Sequence, residues 1–386
     1  MEAPLRFTRK HTAFAAVSVL TAALLCALSA DVRFLVRSAW EEARILSLRQ
    51  PIAALVADPA TPPRRRSQLR LVLAARAFAA AELGLKAGST YTTFADVGEG
   101  PLLHVLSASP RYSLKPYRWR FPIAGAIPYK GFFDAAAARS EQRRLEALGY
   151  DTYLRPAGAF STLGWLPDPL LSTALDDDPA ELVATVIHEI AHNTLWVPGD
   201  ASFNESYAEF VGYQGAAAFF ARRGDARTAE RCAALWRDEK RLAGFYGALQ
   251  GRLDALYASP LSPPALEALR EEIFAQAHAF LAGPLDRSLE VWSGRSLARR
   301  PLNNARLIAH RLYATGFDQM EQMYALAGGD LRRGIRQIAL SLRRHPSLPA
   351  LDALTLVIRR SRPPLSLTSQ LKSEKTGEIG GPFYDL

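Results

Sequence analysis

The residues best suited to chemistry in this chain are His188, Glu189 and His192, which form an H-E-x-x-H pattern. On a helix, side chains four residues apart lie on one face, so both imidazoles can bind one metal ion, most often zinc. Glu189 lies beside the first histidine, where a carboxylate can accept a proton from water that the metal activates. The pattern therefore predicts a metal-dependent hydrolase. The alternative, two structural histidines without metal, leaves a costly buried carboxylate.

A helix is predicted to carry this pattern. Asp178 and Pro179 are typical of a helix start, because an acidic N-cap and a proline at the first helical position both favour one. Val183, Ile187, Ile190 and Thr194 then recur with helical period and form a less polar stripe beside the histidines. The predicted helix therefore has one face for the core and one for the metal.

A third metal ligand is expected after this helix, because a zinc site needs a third protein ligand and an open position. The metzincin continuation is absent, since Leu195 and Pro198 occupy the places of its glycine and histidine. Two acidic candidates follow a Pro-Gly turn that should reverse the chain, Asp200 and Glu205. Glu205 lies near the start of a second helix, predicted from about residue 202 to residue 223.

Glu205 has a second interpretation, because Ser202 and Glu205 match a capping box that only stabilises a helix start. We favour metal binding for Glu205, since the histidine pair requires a partner nearby. Glu209 lies one turn further on the same helix face, where its carboxylate suits the free ring N–H of a ligand histidine. An ordinary solvated glutamate is the alternative for Glu209.

Residues 204–208, N-E-S-Y-A, resemble the N-E-x-x-A segment of gluzincin metallopeptidases, in which the glutamate is the third zinc ligand. Several segments together resemble a bacterial family of zinc aminopeptidases, namely 57–62, 159–165, the H-E-x-x-H helix, 197–200, 203–206 and 301–306. The resemblance implies a zinc peptidase with His188, His192 and Glu205 as zinc ligands and Glu189 as general base. Two features depart from better-known gluzincins: a shorter interval before Glu205, and no acidic segment for reading a substrate amino terminus.

The resemblance also implies a substrate-binding strand before the metal helix. Gluzincins have an edge strand there that pairs with the extended substrate backbone. The corresponding residues here are Ala159, Phe160, Ser161 and Thr162. A plain structural strand is the alternative.

A further group is expected to stabilise the oxyanion of the tetrahedral intermediate. Gluzincins commonly supply a tyrosine or histidine from a downstream helix, and His310, Tyr313 and Tyr324 are the candidates here. We choose Tyr313 as the catalytic residue, partly from the resemblance. Ordinary packing in a helical core is the alternative for a tyrosine.

The first 30 residues are predicted to be a targeting segment. Arg6, Arg9 and Lys10 precede an apolar stretch from Thr12 to Ala30. The basic flank should stay cytoplasmic, and the stretch is long enough for a signal peptide or a membrane anchor. We therefore predict export, with a body that is periplasmic or anchored to the inner membrane.

The net charge of +9 indicates attraction to anionic partners. Basic residues are spread in pairs and short runs, whereas nucleic-acid binding concentrates them on one face with interleaved aromatic residues. We therefore predict no nucleic-acid partner, a peptide or protein substrate, and association with the inner membrane through the N-terminal segment. Cys26 lies in that segment and Cys232 is the other cysteine, so no disulfide is predicted in the body.

The predicted fold class is α+β and mostly helical, resembling gluzincins with a small mixed β-sheet above the metal-binding helix. Helices are predicted at 35–56, 63–85, 135–148, 225–257, 264–282, 301–326 and 330–343, with short strands between 90 and 133 and another from 153. The predicted organisation is a targeting segment (1–30), a zinc metallopeptidase domain (31–345) and a flexible tail (360–386). The domain comprises an N-terminal helical and β part (31–135), the metal-binding core (136–224) and a helical part (225–345).

The sequence thus predicts a zinc-dependent metallopeptidase that hydrolyses peptide bonds. Aminopeptidase action is the first choice and endopeptidase action the second. The rival hypothesis is a non-catalytic, metal-stabilised envelope protein that binds peptides or partners. Glu189 argues against the rival, because a binding module needs no base beside its metal.

Overall fold

The structure, a computed structural model, describes residues 18, 21, 30–98, 100–121, 125–157, 169–311 and 314–361. Several predictions fall outside these residues: almost all of the targeting segment, Ala159, Phe160, Ser161, Thr162, Tyr313 and nearly all of the tail. They stay predictions. In the part of the chain that is described, no helix is both long and apolar enough to cross a bilayer.

The described chain is mostly helical with small mixed sheets, which confirms the α+β class. The helices are α1 (Ala30–Ser47), α2 (Ile52–Ala57), α3 (Pro63–Ala81), α4 (Ala135–Ala147), α5 (Pro179–Thr194), α6 (Ala201–Arg222), α7 (Ala226–Tyr257), α8 (Pro263–Phe280), α9 (Asp286–Ser288), α10 (Gly294–Ala298), α11 (Asn304–Arg311), α12 (Phe317–Leu326), α13 (Leu331–Arg344) and α14 (Ala350–Ser361). Helices α5 and α6 carry the H-E-x-x-H and N-E-x-x-A segments.

Helix boundaries depart from the predicted ones where proline or glycine interrupts the chain. Pro51 lies in a short strand between α1 and α2, so the first predicted helix is split, as expected from its ring. The single helix predicted at 301–326 is wrong. Gly316, with φ of 76°, precedes α12 in a left-handed conformation that helices do not contain. Helix α14 had no counterpart among the predicted elements.

The strands form three small sheets among the described residues, where one was predicted. They are β1 (Gln50–Pro51), β2 (Thr93–Ala95), β3 (Leu103–Pro110), β4 (Trp119–Phe121), β5 (Gly125–Ile127), β6 (Tyr129–Phe132), β7 (Tyr150–Ala157) and β8 (Leu170–Leu171). One sheet has the order β1-β2-β8 and is mixed, since β2 pairs antiparallel with β1 and parallel with β8. The second, β6-β3-β7, is antiparallel throughout, and β4 pairs antiparallel with β5.

Helices α5 and α6 lie at the centre of the main core. Val183, Ile187 and Ile190 of the predicted stripe of α5 are fully buried, and Thr194 at its end is half-buried. Phe203 and Phe210 of α6 are buried in the same cluster, which also receives residues of α3, α12 and α13. The H-E-x-x-H and N-E-x-x-A segments are therefore carried by helices that are largely buried, where packing limits their movement.

A buried ion pair joins the antiparallel sheet to the helices after α7. Asp151 of β7 forms an ion pair with Arg270 of α8, and both side chains are less than a tenth exposed. Asp151 also accepts a hydrogen bond from the backbone N–H of Asn304 at 2.9 Å, at the start of α11. One carboxylate thus fixes β7 relative to both helices.

Candidate metal centre

Helix α5 presents His188 and His192 on one face. Its start is fixed by Asp178, whose carboxylate accepts a hydrogen bond from the backbone N–H of Ala180 at 3.0 Å, and by Pro179 at the first position. The helical period then puts the two imidazoles one turn apart, with ring centroids separated by 4.8 Å and Nε2 atoms by 3.2 Å. Both rings are half-buried, so they are ordered by packing and still reachable from solvent.

Glu205 approaches the histidines from α6. That helix is capped by Asp200, whose carboxylate accepts a hydrogen bond from the backbone N–H of Phe203 at 3.0 Å. The capping-box interpretation of Ser202 and Glu205 is therefore wrong, because Ser202 lies inside the helix. Asp200, the other candidate ligand, is occupied as the cap.

The loop between the two helices is closed by Asn204. Its side-chain amide donates a hydrogen bond to the carbonyl of Val197 at 2.8 Å, and its Oδ1 accepts one from the backbone N–H of Val197 at 2.8 Å. Asn204 is fully buried. This two-way pairing fixes the start of α6 against the loop that leaves α5, and Glu205 is the next residue.

Three ligand atoms converge at this point. Nε2 of His188 lies 3.5 Å from Oε2 of Glu205, and Nε2 of His192 lies 3.8 Å from Oε1 of Glu205. One ligand atom from each of the three residues lies within 4.8 Å of the other two. Such a group could hold a metal ion, and the described residues contain no second group of this kind.

Glu209 lies behind His188, on the side away from Glu205. Its Oε2 accepts a hydrogen bond from Nδ1 of His188 at 3.0 Å. A carboxylate acceptor keeps the proton on Nδ1 and leaves Nε2 of His188 directed at the other two ligand residues. Nδ1 of His192, by contrast, is buried and has no hydrogen-bond partner among the described residues.

The pKa values of the two histidines are shifted in opposite directions. The pKa of His188 is raised to about 10, because hydrogen bonds to Glu205 and Glu209 outweigh the effect of burial, which alone would lower it. The pKa of His192 is lowered to about 4, by burial first and then by the positive charge of His188. Burial would raise the pKa of Glu205, but the hydrogen bond from His188 and both histidine charges lower it. The two shifts differ in direction because two carboxylates face His188, whereas burial dominates at His192.

Glu189 adds a further carboxylate to this centre. It follows His188 in α5, is half-buried, and its negative charge is one of those that raise the pKa of His188. Glu189 does not belong to the three residues whose ligand atoms converge. A carboxylate so close to a metal site suits proton transfer better than coordination.

More acidic residues lie beyond Glu209. Tyr213 donates a hydrogen bond to Oε2 of Glu181 at 3.0 Å. The pKa of Glu181 is raised to about 7, by burial first and then by neighbouring negative charges. Glu239 has a raised pKa for the same reasons, with Glu209 and Glu181 as its main charged neighbours. Burial and mutual repulsion thus favour the protonated forms of Glu181 and Glu239, and a nearby cation would favour their ionised forms.

Gly212 allows α5 and α6 to approach closely at the histidines. A Cβ atom at Gly212 would lie 2.8 Å from the carbonyl oxygen of Ala184 and 3.3 Å from Cβ of His188. A contact of 2.8 Å with backbone is too short to be kept, so a larger residue must separate the helices. The distance between Glu205 and the histidines therefore depends on a glycine that the metal motif does not include.

We predict that Gly212→Ala lowers the free energy of unfolding by about 1–3 kcal/mol, because an added methyl group overpacks the helix contact. It should also weaken metal binding, since α6 carries Glu205. Chemical denaturation and metal titration measure the two effects. Gly247→Ala in α7 is the matched control: no atom lies within 4 Å of its added Cβ, so we expect stabilisation by about 0.5–1 kcal/mol. Equal behaviour of the two variants would contradict the prediction.

Three residues near the centre were not predicted from the sequence. Trp196 is 57 % exposed and packs edge-on against His192, with ring centroids 5.7 Å apart. Tyr129 of β6 has a raised pKa, through desolvation first and then the negative charge of Glu205. Arg155 of β7 is half-buried, and its positive charge contributes to the lowered pKa of Glu205. Of these three residues, only Trp196 could have been found from the sequence, because it lies four residues after His192.

The candidates for oxyanion stabilisation lie in different places. Tyr313 lies outside the described residues. Tyr324 packs against Phe210 of the core, with ring centroids 6.1 Å apart, so it serves packing. His310 stacks on Tyr246 at 4.5 Å, and its pKa is lowered to about 4, by burial first and then by nearby arginine charges. His310 is therefore a half-buried ring whose lowered pKa favours the neutral form.

Comparison with known proteins places the chain in a family. Neither the curated proteins nor the solved structures include a match to it. A family model covers the two metal-site helices and all three small sheets, and extends through α13. That model, described as "Putative aminopeptidase", matches residues 33–347, which is most of the chain, and the protein therefore belongs to this family.

Proposed function

We propose that the protein is a zinc-dependent peptidase of gluzincin type, with aminopeptidase activity. The observation that carries the proposal is the convergence of His188, His192 and Glu205 next to Glu189. Family membership supports peptidase action and, by the family's description, removal of amino-terminal residues. The N-E-x-x-A segment that supplies Glu205 supports the gluzincin type.

The three ligand residues fit zinc in both chemistry and spacing. Two imidazole nitrogens and one carboxylate oxygen form a common catalytic zinc set, with the fourth position open. Ligand atoms about 2.0–2.1 Å from one tetrahedral ion lie about 3.3 Å from each other. Here the two Nε2 atoms lie 3.2 Å apart, Oε2 of Glu205 lies 3.5 Å from Nε2 of His188, and Oε1 of Glu205 lies 3.8 Å from Nε2 of His192. With one oxygen counted for Glu205, the three ligand atoms lie within 4.8 Å of one another. Small side-chain adjustments would therefore complete the site.

Peptide hydrolysis assigns a different task to each residue. Zinc, when bound, lowers the pKa of a coordinated water toward about 7 and polarises the scissile carbonyl. Glu189 accepts the water proton during attack and returns it to the leaving amine. Glu209 holds the ring of His188 in the tautomer that keeps Nε2 available.

The proposal is tested by zinc analysis and peptide assays on the full chain and on Glu205→Ala. We expect about one zinc per wild-type chain and its loss or sharp weakening in the variant, because a catalytic site needs three protein ligands. Glu271→Ala, an exposed glutamate of α8, is the control and should keep zinc and activity. No zinc in the freshly purified protein, and none taken up on titration, would refute the proposal.

The choice of peptides separates the possible activities. Fluorogenic peptides with a free amino terminus are compared with the same peptides after amino-terminal blocking. Cleavage of free peptides alone supports the aminopeptidase, and cleavage of blocked peptides indicates an endopeptidase. Zinc binding without cleavage of either set favours the non-catalytic peptide-binding hypothesis.

Removal of the Glu209 carboxylate has a predictable effect on metal affinity. Glu209→Gln should weaken zinc binding by about 10–100-fold, because a neutral amide no longer favours the Nδ1–H tautomer of His188. The zinc dissociation constant, measured by competition with a chelator, checks this. Activity at saturating zinc should fall less than affinity does. An unchanged dissociation constant would show that Glu209 is an ordinary carboxylate.

A further inference from the structure

Arg155 shares one face of the antiparallel sheet with two tyrosines. Arg155 of β7 lies opposite Val105 of β3, while Tyr153 and Tyr129 both lie opposite Ser107. Residues directly opposite in antiparallel strands share a face, and so do residues two apart in one strand. Arg155, Tyr153 and Tyr129 therefore form one face of the sheet.

The helices that this face meets are known from two contacts. Tyr153 lies against His310 of α11, with ring centroids 6.1 Å apart. Asp151, two residues further along the same face, pairs with Arg270 and Asn304. The positive charge of Arg155 has a lowering effect on the pKa of Glu205, of Tyr129 and of His310. Arg155 is therefore a charged neighbour of the candidate ligand Glu205, on the sheet face that packs against α11.

Among the described residues, Arg155 has no hydrogen-bonding or ion-pair partner. The guanidinium forms no hydrogen bond and no ion pair within the described residues, although the side chain is half-buried. An arginine stays charged at all ordinary pH values and presents donors that match a carboxylate. Partial burial of such a group without an acceptor costs free energy, and a bound anion recovers it. The nearby carboxylate Glu205 is engaged by His188 and His192.

We propose that Arg155 binds a carboxylate of the peptide substrate beside the metal centre, and so selects peptides with a negative charge close to the scissile bond. The proposal rests on the peptidase function proposed above. Two sources have this chemistry: the free carboxyl terminus of a dipeptide, and an acidic side chain in the residue after the scissile bond. Tyr129, 41 % exposed at the edge of the same face, borders the position such a group takes.

The experiment compares four substrates: Ala-Leu, Ala-Leu-amide, Ala-Asp-amide and Ala-Asn-amide. Wild-type protein should prefer Ala-Leu to its amide if the terminus is bound, and Ala-Asp-amide to Ala-Asn-amide if the side chain is bound. In Arg155→Met, the kcat/KM of the preferred carboxylate substrate divided by that of its neutral counterpart should fall by about 10–100-fold, since a charge-assisted hydrogen-bond pair is lost. Arg155→Lys should retain part of it. Arg139→Met, at an exposed position of α4, is the matched control and should leave both ratios unchanged.

Direct binding separates this proposal from the proposed function. Calorimetry on Glu189→Gln, with and without Arg155→Met, measures the affinity for each carboxylate peptide and its neutral counterpart. A preference that disappears with Arg155 supports the proposal even when the wild-type protein hydrolyses none of the four peptides. The absence of any preference in wild-type and Glu189→Gln protein would overturn it. An equal loss of kcat/KM on charged and neutral substrates in Arg155→Met would also overturn it, because that result places Arg155 at the oxyanion.

Discussion

Replacement of Glu189 by glutamine should lower kcat for peptide hydrolysis by about 10²–10⁴-fold, the usual contribution of a general base. Glutamine keeps the size of the side chain and one acceptor oxygen, but it cannot accept the proton of the attacking water. Because Glu189 is not one of the three converging ligands, zinc content should stay at the wild-type level. Steady-state kinetics and zinc analysis on the same preparation measure both quantities.

The combination of outcomes identifies the role of Glu189. Lost activity with retained zinc fits the general base. Lost activity together with lost zinc would instead make Glu189 a ligand or a structural support. Activity within a few-fold of wild type would contradict the assignment, and with it the mechanism. Glu205→Ala is the contrasting variant, since it should lose the metal first.

Removal of the Asp151 carboxylate should cause the largest loss of stability among the variants considered. Asp151→Ala leaves Arg270 buried at 5 % exposure without its main partner and deprives the Asn304 N–H of its acceptor. Breaking such a pair typically costs about 3–5 kcal/mol. Glu267 remains 3.5 Å from the Arg270 guanidinium, so we expect the lower end of that range. The urea midpoint, with an unchanged slope, measures the loss.

An exposed ion pair provides the control for Asp151. Glu82 and Arg222 lie 3.0 Å apart, with both side chains more than a third exposed. Glu82→Ala should therefore change the free energy of unfolding by less than about 1 kcal/mol. If Asp151→Ala folds too poorly for measurement, Asp151→Asn retains the acceptor for Asn304 and should show an intermediate loss. Similar small effects of Asp151→Ala and Glu82→Ala would contradict the prediction.

The metal helix and its surroundings could be predicted because their signals are local. Asp178 and Pro179 mark the helix start within two residues, and the four-residue spacing of the histidines determines their common face. Glu205 required one further step, a chain reversal at a Pro-Gly turn. Asp200 shows the limit of such reasoning: it was weighed as a ligand, yet the structure uses it as the cap of α6.

The sheet side of the centre could not be predicted in this way. Arg155 and Tyr129 lie 26 positions apart in the sequence, and both are distant in sequence from Glu205. They share a face only because β6 and β7 both pair with β3 in one particular register. A shift of one residue would turn Arg155 away, and no local pattern determines that register. The role of Gly212 could not be predicted for a related reason, since the contact that excludes a side chain there is made by the neighbouring helix α5.

The short interval between His188 and Glu205 also has a consequence for the order of folding. All three candidate ligands belong to two consecutive helices, and the loop between these helices is held by the paired hydrogen bonds of Asn204 with Val197. Their assembly therefore requires the closure of one small loop only. The position of Arg155 depends on pairing between strands that are distant in sequence, and such pairing is slower to form. During refolding we therefore expect metal uptake to precede selectivity for charged peptides, so that a zinc-loaded species without substrate discrimination appears first.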